Sequence, residues 1–303
     1  MKGLVIINAY PNGEKFYKQS GRIAEELRLL GVQTDVLRNG EVYAYIDAQG
    51  NIQEEISKNY DFAVYLDKDK YLGKLLEKSG IRLFNSASAV ETCDDKMLTY
   101  IALAQKGVPV AETIAAPLCY TPSAKVDELF LQKVADKLGF PLVVKKSYGS
   151  FGVGVQLVHG MPELIEIAQK CLHEPHFFQH YVAQSCGKDV RVMVIGGKVV
   201  AAMERVAQKG EFRSNIELGG VGRKIDLLPA YQEIAEKVAN ILQLDYCGVD
   251  LLQTDDGPIV CEVNSNAFFE GLEQTTGVNV AKAYAEYIHR TMSAKKYKNS
   301  KST

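Results

Sequence analysis

Residues 247–264, Cys-Gly-Val-Asp-Leu-Leu-Gln-Thr-Asp-Asp-Gly-Pro-Ile-Val-Cys-Glu-Val-Asn, decide the fold. Two apolar runs, 247–253 and 258–264, flank the turn-forming Asp255-Asp256-Gly257, so the segment predicts a β-hairpin. A register symmetric about Asp256 sets Asp250 opposite Glu262, with Cβ atoms about 5 Å apart. Asn264 falls on the same face, because strand side chains repeat every second residue. Among Val249, Leu251, Leu252, Ile259, Val260 and Val263, two facing carboxylates repel at a cost that a proton or a cation must cancel. Two carboxylates and an amide offer only oxygen ligands, which suits Mg2+ or Mn2+ better than zinc and leaves coordination positions for phosphate oxygens. Read in isolation, the same pattern also fits a solvated hairpin face.

Upstream, residues 141–147 and 153–158 are a second β-rich pair, joined by Tyr148-Gly149-Ser150-Phe151-Gly152 and preceded by Lys145-Lys146. Glycines let backbone N–H groups turn toward a phosphate, and a nearby lysine supplies the matching charge. The loop enters another strand, so it is not a Walker A motif, which opens a helix. Taken alone it fits a merely flexible hairpin. A third cluster runs Glu204-Arg205, Arg213-Ser214-Asn215 and Gly219-Gly220. Arg205, Arg213 and the Asn215 amide form a clamp for a transferring phosphoryl group, although any single arginine equally fits a surface ion pair. A phosphate loop, a cationic clamp and a carboxylate pair in one chain are the parts that phosphoryl transfer requires.

The remaining pattern gives an α/β (α+β) chain. Strands at 4–8, 33–37, 62–66 and 82–85 alternate with helices at 15–30 and 70–78, a βαβ-type, Rossmann-like unit with a mainly parallel sheet. Its first turn, Asn8-Ala9-Tyr10-Pro11-Asn12-Gly13, lacks G-x-G-x-x-G, which argues against a nicotinamide oxidoreductase. A helix is expected over 91–106, then an irregular Pro- and Ala-rich stretch to 125. Further helices fall at 126–138, 162–172, 230–242 and 280–291. Strands at 177–182, 190–195 and 198–205 form an antiparallel series with Gly196-Gly197 as a tight turn. The division reads 1–88, 89–176 and 177–292, with 293–303 an unstructured Lys-rich tail.

With 303 residues, 47% apolar and 24% charged, the chain can bury a sizeable core. A formal charge of -2 is too near neutral for a general nucleic-acid binder. The apolar run at 3–9 lacks the features of a signal peptide, and no segment approaches the roughly 20 apolar residues of a membrane helix. The chain is therefore placed in the cytoplasm, away from membranes. Six cysteines without a C-x-x-C pair read as reduced thiols, and His173, His176 and His180, interrupted by Pro175, read as ordinary histidines rather than metal ligands.

Taken in order, several motifs make the chain resemble the ATP-grasp superfamily, and within it the RimK-type (alpha-L-glutamate ligase-like) carboxylate-amine ligases. They are Cys93-Asp94-Asp95-Lys96, Pro141-Leu142-Val143-Val144-Lys145, Gly152-Val153-Gly154-Val155, Gln179-His180-Tyr181-Val182, Asp189-Val190-Arg191, Phe212-Arg213-Ser214-Asn215, Gly248-Val249-Asp250, Glu262-Val263-Asn264 and residues 270–277. The resemblance implies an N-terminal pre-ATP-grasp domain followed by two ATP-grasp subdomains. It also implies ATP and two Mg2+ or Mn2+ ions, and an ADP-forming reaction through an acylphosphate that an amine intercepts. By the same resemblance, Lys96, Lys145 and the Gly152 loop hold phosphates, and His180 and Tyr181 lie beside adenine. Asp189 holds the ribose side, Arg213, Ser214 and Asn215 with Arg205 contact the terminal phosphate, and Asp250, Glu262 and Asn264 ligate metal. The partners implied are a small-molecule or peptide carboxylate and an amine; homo-oligomerisation is left open. A nucleotide-binding regulatory module without chemistry is the alternative. Two departures stand out. His180 replaces a common acidic residue, and Ser265-Asn266-Ala267-Phe268-Phe269 replaces a small-residue run, which points to a different acceptor or donor.

Overall fold

The computed structural model describes residues 1–11, 13–150, 152–214 and 219–301. The decisive hairpin is present, as strands Tyr246–Thr254 and Gly257–Asn264 paired antiparallel. Its loop is shorter than expected. Thr254 pairs with Gly257, whose φ of 112° is open to glycine, so only Asp255 and Asp256 form the turn. That register alone would offset the carboxylates by one residue. A β-bulge at Cys261 adds the missing residue, so that Leu251 pairs with Val260 while Asp250 pairs with Glu262.

The hairpin is one edge of a five-stranded antiparallel sheet, in the order Val221–Lys224, Lys198–Val206, Lys188–Ile195, Tyr246–Thr254, Gly257–Asn264. Gly196 and Gly197 make its tight turn with φ of 57° and 75°. Register here sets chemistry. Asp189 lies opposite Arg205, and Arg191 lies opposite Asp250.

A second sheet, in the order Thr113–Ala115, His176–His180, Leu142–Lys146, Val155–Val158, carries the glycine-rich tip. Helices Glu128–Leu138 and Met161–Cys171 bury Leu131, Val134, Leu164 and Ile167 against it. Thr113–Ala115 falls in the stretch expected to be irregular; pairing with Phe177, Phe178 and Gln179 makes it a strand. The N-terminal sheet is parallel, with Lys2–Ile7 and Phe62–Leu66 central and Gln33–Arg38 and Arg82–Phe84 outside. A small hairpin, Ala44–Ile46 with Ile52–Glu54, is an addition the pattern did not indicate.

Two helical expectations are corrected. The helix expected over 91–106 is two, Ala87–Asp94 and Lys96–Leu103, because the Asp95 carboxylate caps the second by accepting from the Met97 and Leu98 amides at 2.9 and 3.1 Å. The tail expected to lack structure from 293 instead continues the last helix, Val280–Lys301, since no glycine or proline interrupts it after Gly277. That helix contributes Tyr284, Ala285 and Ile288 to a core shared by the first and last sheets, with Val5, Phe62, Met193 and Tyr246. Among the described residues no helix is long and apolar enough to cross a membrane.

Asn85, fully buried, joins those two sheets. Its amide donates to the carbonyls of Tyr246 and Ser265, and its oxygen accepts from the amides of Asp245 and Tyr246, all within 3.0 Å. Asn85→Ala strands several of these groups and is expected to lower unfolding free energy by about 2–4 kcal/mol, read by urea denaturation. An unchanged midpoint would remove Asn85 from this role.

Candidate active site

Two cavities meet at the hairpin. The larger, about 760 Å3, lies between the N-terminal sheet and the five-stranded sheet and is lined by Asn8, Gln19, Asp67, Arg191, Asn264 and Phe268, among others. The smaller, about 110 Å3, runs between the four-stranded antiparallel sheet and the five-stranded sheet and is lined by Lys145, His180, Tyr181, Asp189, Arg213 and Asp250, among others. Lys96, Gly149, Arg205 and Glu262 line both. The smaller is below the roughly 300 Å3 of an ordinary ligand site, because the glycine-rich tip lies over it.

Three cations tie that tip down. Lys96 Nζ donates to the Gly149 carbonyl at 2.6 Å and sits 3.3 Å from Glu262 Oε1. Lys68 Nζ donates to Ser150 Oγ at 3.1 Å, and Arg213 Nη1 to the Gly152 carbonyl at 2.9 Å. Gly149 and Gly152 turn at φ of 134° and 73°, conformations that glycine adopts freely. Glu211 grips Arg213 through both carboxylate oxygens, and this guanidinium holds the Glu211 carboxyl down to about 2. Because the folded value lies below the ordinary 4.5, the pair's support is complete above that pH and is lost only as pH falls toward 2.

Beneath the junction lies a buried charge network. Arg205, 5% exposed, donates from Nε to Asp189 Oδ1 at 2.7 Å and places Nη2 2.9 Å from Asp250 Oδ2. Arg191 forms a fork with Asp250, through Nε to Oδ1 and Nη2 to Oδ2. Burial alone would push the Asp250 carboxyl up, but Arg191 and Arg205 outweigh it and hold the group below the usual range. Burial likewise opposes the charge on Arg205, and Asp250 and Asp189 more than offset it. Lys145 is buried too, with its Nζ 3.9 Å from Cys261 Sγ; burial opposes its charge, and the Glu262 carboxylate favours it. Burial pushes the Cys261 thiol up, so it stays protonated.

The two facing carboxylates also meet cations of the protein itself. Asp250 and Glu262 pair in register, yet Asp250 is saturated by two arginines and approached by the Asn264 amide at 3.4 Å, while Glu262 faces Lys96. Among the described residues no three His, Cys, Asp or Glu side chains form a metal-holding group. Glu262 lines both cavities, Asn264 the larger and Asp250 the smaller; all three carry oxygens of the kind a hard cation takes, and Asp250 also anchors the arginines. Asn215 lies outside the described residues, and Ser214 lines the smaller cavity. His180 caps its strand with Nδ1 3.0 Å from the Leu138 carbonyl.

Sequence reasoning passed over Arg191, Asn8, Asp67 and Gln19. Arg191 follows Asp189 by two residues, so it shares its face, but its partner is 59 residues away. Asn8 and Asp67 sit just past the ends of the two central parallel strands, Lys2–Ile7 and Phe62–Leu66. These strands have their neighbours on opposite sides, and the crevice at such a switch point is where open α/β sheets bind ligands. A polar residue directly after each apolar run was the available signal.

The fold is that of an ATP-grasp protein. D-alanine–D-alanine ligase from Bacillus anthracis complexed with ATP superposes with a TM-score of 0.73 over 99% of both chains, at 19% identity. The model of the RimK-like ATP-grasp domain matches residues 93–288, and the chain belongs to that family. Human N-acetylaspartylglutamate synthase A is 38% identical over 227 residues, 74% of this chain and 56% of the relative. A probable alpha-L-glutamate ligase from Syntrophotalea carbinolica is 37% identical over 216 residues, 71% of this chain and 69% of the relative. The chain thus spans little more than half the length of the human relative.

The two arginines are expected to respond differently to truncation. Arg205→Ala leaves two buried carboxylates under-compensated and should cost about 3–5 kcal/mol of stability. Arg213, 28% exposed, should cost under about 1 kcal/mol on truncation. Chemical denaturation of both variants checks this; equal losses would contradict the assignment of Arg205 to the buried network.

Proposed function

We propose that the protein is an ATP-dependent carboxylate-amine ligase, forming an amide through an acylphosphate and releasing ADP and phosphate. The observation that carries this is the meeting of two cavities at Lys96, Arg205 and Glu262. One suits a nucleotide along the strand edge at His180 and Tyr181; the other suits the substrates. A phosphoryl group crosses from one to the other at their junction.

In this reading the chain consists of units 1–88, 89–176 and 177–292, acts in the cytoplasm and binds the nucleotide between the last two units. Lys145 and Lys96 hold phosphate oxygens, and N–H groups around Gly152 complete the cradle once its tip lifts. Arg205 and Arg213, with Ser214 and Asn215, stabilise the charge that develops as a carboxylate oxygen attacks the terminal phosphorus. Asp189, which accepts from Arg205 and lines the smaller cavity, holds the ribose side of the nucleotide in this reading. Asp250, Glu262 and Asn264 would hold the Mg2+ or Mn2+ ions, two in this reading, and a bound ion neutralises phosphate charge. Closure of the site against water would let the amine rather than water take the acyl group. The relatives' names put glutamate forward as the amine, and Phe268, against Phe16 at 5.1 Å, shapes the cavity for a carboxylate of its own. A regulatory module has no use for a cationic clamp at a substrate-sized cavity, and the relatives named above are a synthase and a ligase.

Hydroxylamine with MgATP and a panel of carboxylates is expected to yield hydroxamate and ADP for at least one acid. Glu262→Gln should lower that rate about 100-fold or more, as loss of an oxygen ligand to a catalytic ion does. ADP release indifferent to every carboxylate would sink the proposal.

A further inference from the structure

The large cavity contains a group of acceptors that the nucleotide chemistry does not use. Asp67 is 3% exposed, and its carboxylate accepts from Asn8 Nδ2 at 3.0 Å, Asn39 Nδ2 at 2.8 Å and the Lys68 amide at 2.7 Å. Among the described residues no cation pairs with it; the neighbouring Lys68 ammonium is turned to Asp94 at 2.7 Å and to Ser150. A buried carboxylate without a counter-charge is costly. Gln19 and Asn266 line the same cavity, and their Oε1 and Oδ1 are the buried side-chain polar atoms that have no hydrogen-bond partner among the described residues.

Both amides are fixed in orientation. Gln19, 6% exposed, spends its nitrogen on the Ala267 carbonyl at 3.1 Å, and Asn266 spends its nitrogen on the Asp67 carbonyl at 3.0 Å. Those bonds decide which end of each amide is oxygen and leave both oxygens as acceptors. They also bring the three residues into one corner of the cavity, since Ala267 adjoins Asn266 and Asn266 bonds to Asp67. The corner lies at the switch point of the parallel sheet and two residues beyond Asn264.

We propose that Asp67, Gln19 and Asn266 form an ammonium subsite, which receives the primary amino group of an amino-acid substrate. Three N–H donors meet one anionic and two neutral acceptors, and the charge that Asp67 lacks is supplied by the ligand. An anion is repelled from this corner, so the carboxylate to be phosphorylated lies toward Arg205 and Lys96. The occupant's role as a ligase substrate rests on the function proposed above; the preference for an ammonium group rests on this corner alone.

The test measures binding of the standard amino acids and of their N-acetyl derivatives to the full chain by equilibrium dialysis, with and without MgATP. At least one free amino acid should bind, and its N-acetyl form at least tenfold more weakly. Asp67→Asn and Gln19→Met should each reduce that discrimination at least tenfold while keeping the stabilisation by MgATP. No binding by any free amino acid, equal binding of the blocked form, or full discrimination in either variant would overturn the subsite. Loss of MgATP binding by the unmodified protein would instead overturn the ligase proposal and leave the amino-acid comparison intact.

Discussion

The buried chain of charges Asp189–Arg205–Asp250–Arg191 is the constraint on which the site depends. Four charged side chains leave water in the middle of a β-sheet, a placement that is unfavourable unless each charge is matched and each donor aimed. Strand register does the aiming. Asp189 opposes Arg205, and Arg191 opposes Asp250, so the network is set once the strands pair. The bulge at Cys261 belongs to the same constraint. Without it the edge strand would present Cys261 rather than Glu262 across from Asp250, and the junction of the cavities would hold no carboxylate.

Gly248 shows how tightly the network is enclosed. A Cβ there would come within 2.7 Å of the Ala267 side chain and 3.0 Å of Arg191 Cδ, so the strand beside Asp250 must be bare for Arg191 to fold back along it. Rigidity below contrasts with what lies above. The glycine-rich tip is held by single bonds from Lys68, Lys96 and Arg213, each reaching a carbonyl or hydroxyl that water or phosphate can replace. A fixed floor with a releasable cover suits a site that must admit a nucleotide and then shut out water.

Much of this was legible in the sequence for physical reasons. Alternation of apolar residues marked the hairpin, and its turn residues fixed the register closely enough to pair Asp250 with Glu262, although two local deviations, a shorter turn and a bulge, cancelled to give that result. Glycines marked the tip, and the two neighbouring arginines of the sequence, Arg205 and Arg213, lie in the buried network and at that tip. What was not legible came from pairings distant in the chain. Arg191 meets Asp250 across 59 residues, and Gln19 meets Ala267 across 248. Local pattern carries no information on such contacts. Short strands such as Thr113–Ala115 were hidden likewise, because their pairing rather than their composition makes them strands. Nor did local pattern show that arginines and a lysine of the protein itself approach Asp250 and Glu262.

In the proposed reaction a substrate carboxylate oxygen attacks the terminal phosphorus at the junction of the two cavities. The most direct measurement uses MgATP, the carboxylate that stimulates ADP release, labelled with 18O in both oxygens, and an amine. Transfer through an acylphosphate predicts one 18O atom in each phosphate released, seen by mass spectrometry. Phosphate free of label, with its new oxygen drawn from water, would show hydrolysis without carboxylate activation and contradict the account.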